Sequence, residues 1–173
     1  MMGSGKTMLY LICDLSGSMA EGGKRLLVRG IVRAVEQYVR LGYAAADIKL
    51  VLWKANAAIA DWNQDDEVPA ELLQCSGSAS VDAITELLDE KPSGRVLLLT
   101  DGWWTSENDS ALKKWKQALP LDTIHIIKIG GDANPRLEGD DVFSAEDFFS
   151  ALDGWLTPTN QDTFNFKNND DKR

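Results

Sequence analysis

Asp14-Leu15-Ser16-Gly17-Ser18 sets a carboxylate and two hydroxyls at alternate positions, directly after the apolar run Met8–Cys13. In an extended or gently turning chain, alternate side chains leave the backbone on one side, so these oxygens can converge, and Gly17 permits a bend. Hard oxygen donors suit Mg²⁺ or Mn²⁺, with waters completing an octahedron, and offer nothing soft enough to select zinc or copper. Ser78, in the Gly/Ser-rich stretch Cys75–Ser80, supplies a further hydroxyl, and Asp101, in Thr100-Asp101-Gly102, a second carboxylate. The competing reading is that Asp14 and its serines only cap a following helix and satisfy turn amides. Trp103 and Trp104 come next. A loop at a sheet edge buries at most one of them well, so the pair Trp103 and Trp104 reads as a candidate partner contact beside the site; the competing reading packs one beneath the loop and sets the other at the site's rim.

The elements that must carry these groups are legible from apolar spacing. Met8–Cys13 is a continuous apolar run bounded by polar residues, the pattern of a strand covered on both faces. From Lys24 to Leu41 the residues Leu27, Ile31, Ala34, Val35 and Tyr38 recur at steps of three and four, while Arg25, Arg29 and Arg33 form a stripe expected to face solvent. Ile48–Trp53 reads as the next strand, with Ala57–Trp62 a short antiparallel partner. Val81, Ile84, Leu87 and Leu88 mark a second helix, Arg95–Thr100 a strand, and Ser106–Leu119 a third helix that buries Leu112, Trp115 and Leu119. Thr123–Ile129 and Val142-Phe143 follow as strands. Ser144 with Asp147 resembles a capping box that opens a final helix burying Phe148, Leu152 and Trp155. Trp53, Trp62, Trp115 and Trp155 are expected in the core or covering the sheet.

This order predicts an α/β fold: a three-layer, Rossmann-like open sheet, mostly parallel with one short antiparallel edge strand, and helices on both faces. Such sheets bind ligands at the carboxyl ends of their strands, where the winding reverses, and Asp14 and Asp101 both follow strands. Residues 8–156 are expected to form the domain, after a flexible segment 1–7 and before a polar tail 157–173.

On Asp14, Ser16, Ser18, the Met19 that continues them, and Asp101-Gly102, the sequence resembles a von Willebrand factor A-type (VWA) domain with a metal-ion-dependent adhesion site. That family carries Asp-x-Ser-x-Ser after its first strand, a Thr before a helix midway, and an Asp after its fourth strand. Ser78, preceded by Gly77 and followed by Ala83-Ile84 in the next helix, stands at the Thr position and keeps the hydroxyl. The resemblance implies that Asp14, Ser16, Ser18, Ser78 and Asp101 hold the cation and that a protein partner's exposed Asp or Glu fills an open position. It also implies a non-catalytic adaptor, like the stand-alone intracellular members that serve prokaryotic multi-gene systems.

Composition narrows the alternatives. The 173 residues carry 18 Lys+Arg and 27 Asp+Glu, a net charge of -9, which opposes binding to nucleic acid or an anionic membrane surface. The excess is uneven, since residues 1–60 hold 8 basic and 4 acidic side chains and the remainder is strongly acidic. Cys13 and Cys75 form no disulfide framework, and no run approaches the ~18 apolar residues of a membrane span, so a cytoplasmic protein is expected. Gly3-Ser-Gly-Lys-Thr7 lacks the first Gly of a phosphate-binding loop and precedes a strand instead of a helix. A haloacid-dehalogenase-like phosphatase would use Asp14 as nucleophile, but needs a second Asp where Ser16 stands. The only histidine, His125, falls within an apolar strand and far from any nucleophile elbow. A metal-free interaction scaffold is the other alternative.

Overall fold

A computed structural model describes residues 6–89 and 92–156. Positions 1–5 of the expected N-terminal segment and the whole of the expected tail, 157–173, lie outside the described residues. Thr7, assigned to that segment, instead opens the first strand.

β1 (Thr7–Asp14) leads through a short 3-10 turn, Gly17–Ala20, into α1 (Lys24–Arg40). β2 (Ala46–Trp53) and β3 (Ala57–Ile59) come next, then α2 (Val81–Leu88), β4 (Arg95–Thr100) and α3 (Ser106–Ala118). β5 (Ile124–Lys128), β6 (Val142–Ser144) and the short α4 (Phe148–Leu152) complete the order. The sheet runs β3-β2-β1-β4-β5-β6, parallel throughout except for β3, which pairs antiparallel with β2 at one edge. The expected fold class is therefore the observed one.

Alternation along β1 and β4 divides the interior into two layers. Leu9, Leu11 and Cys13 of β1, with Leu97 and Leu99 of β4, meet Val28, Ile31, Val32 and Val35 of α1 and Ala151 and Leu152 of α4. Ile12 and Leu98 point the other way, onto Val81, Ile84 and Leu88 of α2 and Leu112 and Trp115 of α3. Each fully buried Leu or Ile contributes about 1.5–3 kcal/mol relative to exposure, so central strands apolar on both sides anchor whatever follows their ends. β1 lies between β2 and β4, and the winding reverses there. The loops after β1 and β4 consequently open side by side.

Several local expectations are corrected. Leu27 is exposed at 39%, because the β-branched stripe Val28, Ile31, Val32 and Val35 turns α1 onto its own side. The Arg stripe does not simply face solvent. The Arg25 guanidinium donates to the Leu73 carbonyl, Arg29 pairs with Glu67, and Arg33 donates to the Gln64 and Asp66 carbonyls and lies over the Trp62 ring, so the stripe fastens the loop after β3. β3 ends at Ile59, three residues short of the expected Trp62. The last helix has only five residues. Its expected start is a 3-10 turn, Ala145–Asp147, in which the Ser144 hydroxyl binds the Asp147 carboxylate rather than a backbone N–H. Trp155 is buried beyond that helix, stacked on His125 at 3.9 Å.

Candidate metal centre

Asp14 ends β1 and is fully buried. Its Oδ1 accepts the Ser16 N–H at 2.9 Å, which curls the loop back over the strand end, and its Oδ2 accepts the Thr100 hydroxyl at 2.6 Å. Asp101, also fully buried, accepts the Trp103 N–H on Oδ1 at 3.1 Å. Thr100 works twice, since its hydroxyl oxygen also accepts the Gly102 N–H at 3.0 Å. β4's last residue thus ties the Asp14 carboxylate to the backbone that follows Asp101. The Ser16 and Ser18 hydroxyl oxygens lie 3.4 Å apart, so the alternating side chains converge as expected.

The chain does bend here, at Ser16 and into the 3-10 turn that Gly17 opens, although Gly17 itself has no positive φ. It also brings backbones together: its N–H donates to the Gly77 carbonyl at 2.8 Å, and the Ser76 N–H donates to the Leu15 carbonyl at 2.9 Å. The positive φ belongs to Gly77. This pairing delivers Ser78 to the rim of the motif loop, where it is exposed and its hydroxyl has no hydrogen-bond partner among the described residues. Asn108, near the start of α3, braces the segment from the far side by donating to the Ala79 carbonyl and accepting the Val81 N–H. The structure therefore gathers Asp14, Ser16, Ser18 and Asp101 at one edge and sets Ser78 beside them.

The tryptophan pair divides. Trp104 packs on buried Trp53, ring centroids 5.8 Å apart, whereas Trp103 is 50% exposed, its indole N–H donating to the Asp132 carbonyl at 2.8 Å.

Lys24, Thr100, Asn108, Asp132 and Asn134 were not foreseen as site residues. Lys24 is 2% exposed although it opens α1, where the positive end of the helix dipole faces it and no acidic side chain occupies the first turn. Its ammonium donates to Asp101 Oδ2 at 3.0 Å and to the Ser18 carbonyl at 3.3 Å, and lies 3.0 Å from Asp132 Oδ1. Burial works against its charge, but the bonds to Asp132 and Asp101 outweigh it and hold the lysine above its ordinary value. Asn134 closes the loop after β5 over β4, its N–H donating to the Asp101 carbonyl at 2.8 Å and its amide to the Gly102 carbonyl at 3.1 Å. The available sequence signal was a lone Lys at an uncapped helix start.

Burial pushes Asp14 above its usual carboxylate range; the hydrogen bonds from Thr100 and Ser16 pull the other way, and the Asp101 charge adds to the rise. Two buried carboxylates at one edge create a field that favours a cation. Each of their four oxygens has one protein partner, and an ionised carboxylate oxygen has capacity for more. With the serine hydroxyls this is an all-oxygen donor set that fits a hard divalent ion. No cluster of three or more His, Cys, Asp or Glu that could hold a metal occurs among the described residues, so an ion here would need hydroxyls and water to complete its sphere.

The histidine and the thiols that a Ser-His-Asp or cysteine nucleophile would need are engaged away from this edge or held protonated. His125 is buried, with Nδ1 at 2.7 Å from the Ala151 carbonyl and Nε2 at 2.6 Å from Asp122 Oδ1. Burial pushes both the Cys13 and the Cys75 thiols up, away from the thiolate. No helix among the described residues is long and apolar enough to cross a membrane.

No family model matches the sequence, and comparison with curated proteins finds none similar to it. Solved structures do match. A von Willebrand factor type A protein from Catenulispora acidiphila superposes with a TM-score of 0.59 at 18% identity, covering 87% of this chain and 43% of that one. Proximal thread matrix protein 1 from the mussel byssus, with a zinc-occupied metal-ion-dependent adhesion motif, gives 0.53 at 16% identity over 86% of this chain and 45% of that one. The ArnB paralog VWA2 from Sulfolobus acidocaldarius gives 0.50 at 17% identity over 71% and 34%. The chain thus spans less than half the length of each of these proteins. At such identities the likeness speaks for architecture, and the architecture is that of a von Willebrand factor A domain.

Proposed function

We propose that this chain is a non-catalytic, metal-dependent protein interaction module. Asp14, Ser16, Ser18, Ser78 and Asp101 hold Mg²⁺ or Mn²⁺, the ion accepts an exposed Asp or Glu of a protein partner, and Trp103 supplies an apolar contact beside it. The observation that carries this reading is the convergence of two buried carboxylates and the paired serine hydroxyls at the switch point of the sheet. A dication there is nearly neutralised by two carboxylates, while hydroxyl and water ligands leave it electrophilic enough to take a further carboxylate. The oxygen-only donors favour Mg²⁺ or Mn²⁺; the mussel protein's zinc makes Zn²⁺ the necessary control. The proposed setting for this adaptor role is the cytoplasm, a reading supported by the two free cysteines.

Calorimetric titration of Mg²⁺, Mn²⁺ and Zn²⁺ into the wild type and Ser16→Ala/Ser18→Ala tests the proposal. Saturable binding by the wild type that the double variant loses supports it. Equal curves for the two proteins would remove the site, and Zn²⁺ binding alone would overturn the metal assignment.

A phosphatase reading predicts turnover of a generic phosphate ester that disappears in Asp14→Asn. Ser16, where that chemistry needs a proton-donating Asp, argues against it.

A further inference from the structure

The centre contains a cation of its own. Lys24 Nζ is buried against Asp101 Oδ2 at 3.0 Å and is held on its open side by Asp132, whose side chain is 65% exposed. The backbone is shaped around this side chain. At Gly130, with a φ of 91° that side-chain-bearing residues rarely adopt, an added Cβ would sit 2.8 Å from Lys24 Cε and 2.9 Å from Asp132 Oδ1 and would displace one or both of the paired side chains. A buried ammonium at a helix N-terminus is opposed both by desolvation and by the helix dipole, and nothing in the first turn of α1 offsets either. Carboxylates from two other loops therefore keep it in place.

We propose that Lys24 is a tethered counter-cation of the metal centre: it shares Asp101 with the divalent ion, lowers the affinity for that ion, and keeps the metal-free site folded. This inference rests on the metal reading above. With Lys24 charged, the three carboxylates Asp14, Asp101 and Asp132 retain two negative charges between them, enough for one dication. Without it they retain three, and the dication is held harder. Asp101 Oδ2 is engaged by the ammonium, which leaves Oδ1 or a bridging water to face the ion. The lysine thus makes metal occupancy adjustable rather than permanent. Asp132 sets the balance from outside, because it draws the ammonium toward solvent.

The test is Mn²⁺ titration by calorimetry, with melting in chelator as a second readout, on the wild type, Lys24→Gln and Asp132→Asn. Lys24→Gln removes the charge and keeps a donor for Asp101; Asp132 is exposed and outside the ligand set, so its variant folds. Lys24→Gln is expected to bind Mn²⁺ at least ~10-fold more tightly, about 1.4 kcal/mol, and to melt lower in chelator. Asp132→Asn is expected to bind several-fold more weakly. If the wild type binds Mn²⁺ while Lys24→Gln binds equally or less tightly, or Asp132→Asn binds more tightly, the lysine's role is overturned and the metal site stands. If Lys24→Gln fails to fold, Asp132→Asn alone decides. Binding by Lys24→Gln but not by the wild type would support the lysine as the resident cation and remove the wild-type metal site. Absence of binding by every variant would overturn both readings.

Discussion

The Thr100 hydroxyl donates to Asp14 Oδ2 across 2.6 Å and so joins the carboxyl ends of β4 and β1, residues 86 apart in sequence. The same oxygen accepts the Gly102 N–H, which ties the Asp14 carboxylate to the backbone directly after Asp101. Thr100→Val keeps the shape and deletes both bonds. It is expected to destabilise the metal-free protein by about 1–3 kcal/mol in urea denaturation, with Mn²⁺ affinity falling as Asp14 loosens, whereas Thr100→Ser should recover most of both.

Gly102 holds a φ of 73°, and a Cβ there would meet Leu137 Cδ2 at 2.8 Å. Gly102→Ala therefore strains the backbone directly after Asp101 and pushes on the loop that covers it. A loss of about 1–3 kcal/mol is expected, read as a drop of several degrees in melting temperature. An unchanged melting temperature would show that the loop yields without cost.

The tryptophans should separate stability from binding. Trp104→Ala removes a ring packed on Trp53 and is expected to cost about 3 kcal/mol. Trp103→Ala removes a half-exposed ring and should leave the melting temperature within about 1 °C while weakening capture of an acidic-motif partner. Both effects appearing in one variant would contradict this division.

The fold and the core of the site were legible because their signals are local. An apolar run ending in Asp14-x-Ser-x-Ser and another ending in Thr100-Asp101-Gly102 each place chemistry after a strand, and parallel winding does the rest. Lys24 was hidden because its two carboxylate partners lie 77 and 108 residues away, so no window of sequence contains either ion pair. The misplaced face of α1 has a different cause. Leu26, Leu27 and Val28 are consecutive apolar residues that satisfy more than one helical stripe, and only packing against β1 and β4 chooses among them. The early end of α4 reflects Asp153 and Gly154, with Gly154 at a φ of 73°, which turn the chain so that Trp155 reaches His125.

Asp14 gives the centre a pH dependence of known sign. Its carboxyl is raised above the ordinary 3.8, so it holds its proton more firmly folded than unfolded. Ionised, it therefore subtracts from the stability of the metal-free protein, and that cost is relieved as pH falls through the raised value toward 3.8. Metal binding runs the opposite way, because the proton and the ion compete for the same oxygens. Melting curves in chelator and in excess Mn²⁺ should converge as pH is lowered across this window. A Mn²⁺ stabilisation that persists unchanged below it would place the ion away from Asp14.

Anomalous diffraction from crystals of the full chain grown with Mn²⁺ would decide whether this edge holds an ion. A manganese peak is expected in contact with oxygens of Asp14, Ser16 and Ser18, with Lys24 still on Asp101. A peak elsewhere, or none at this edge in saturating Mn²⁺, would contradict it.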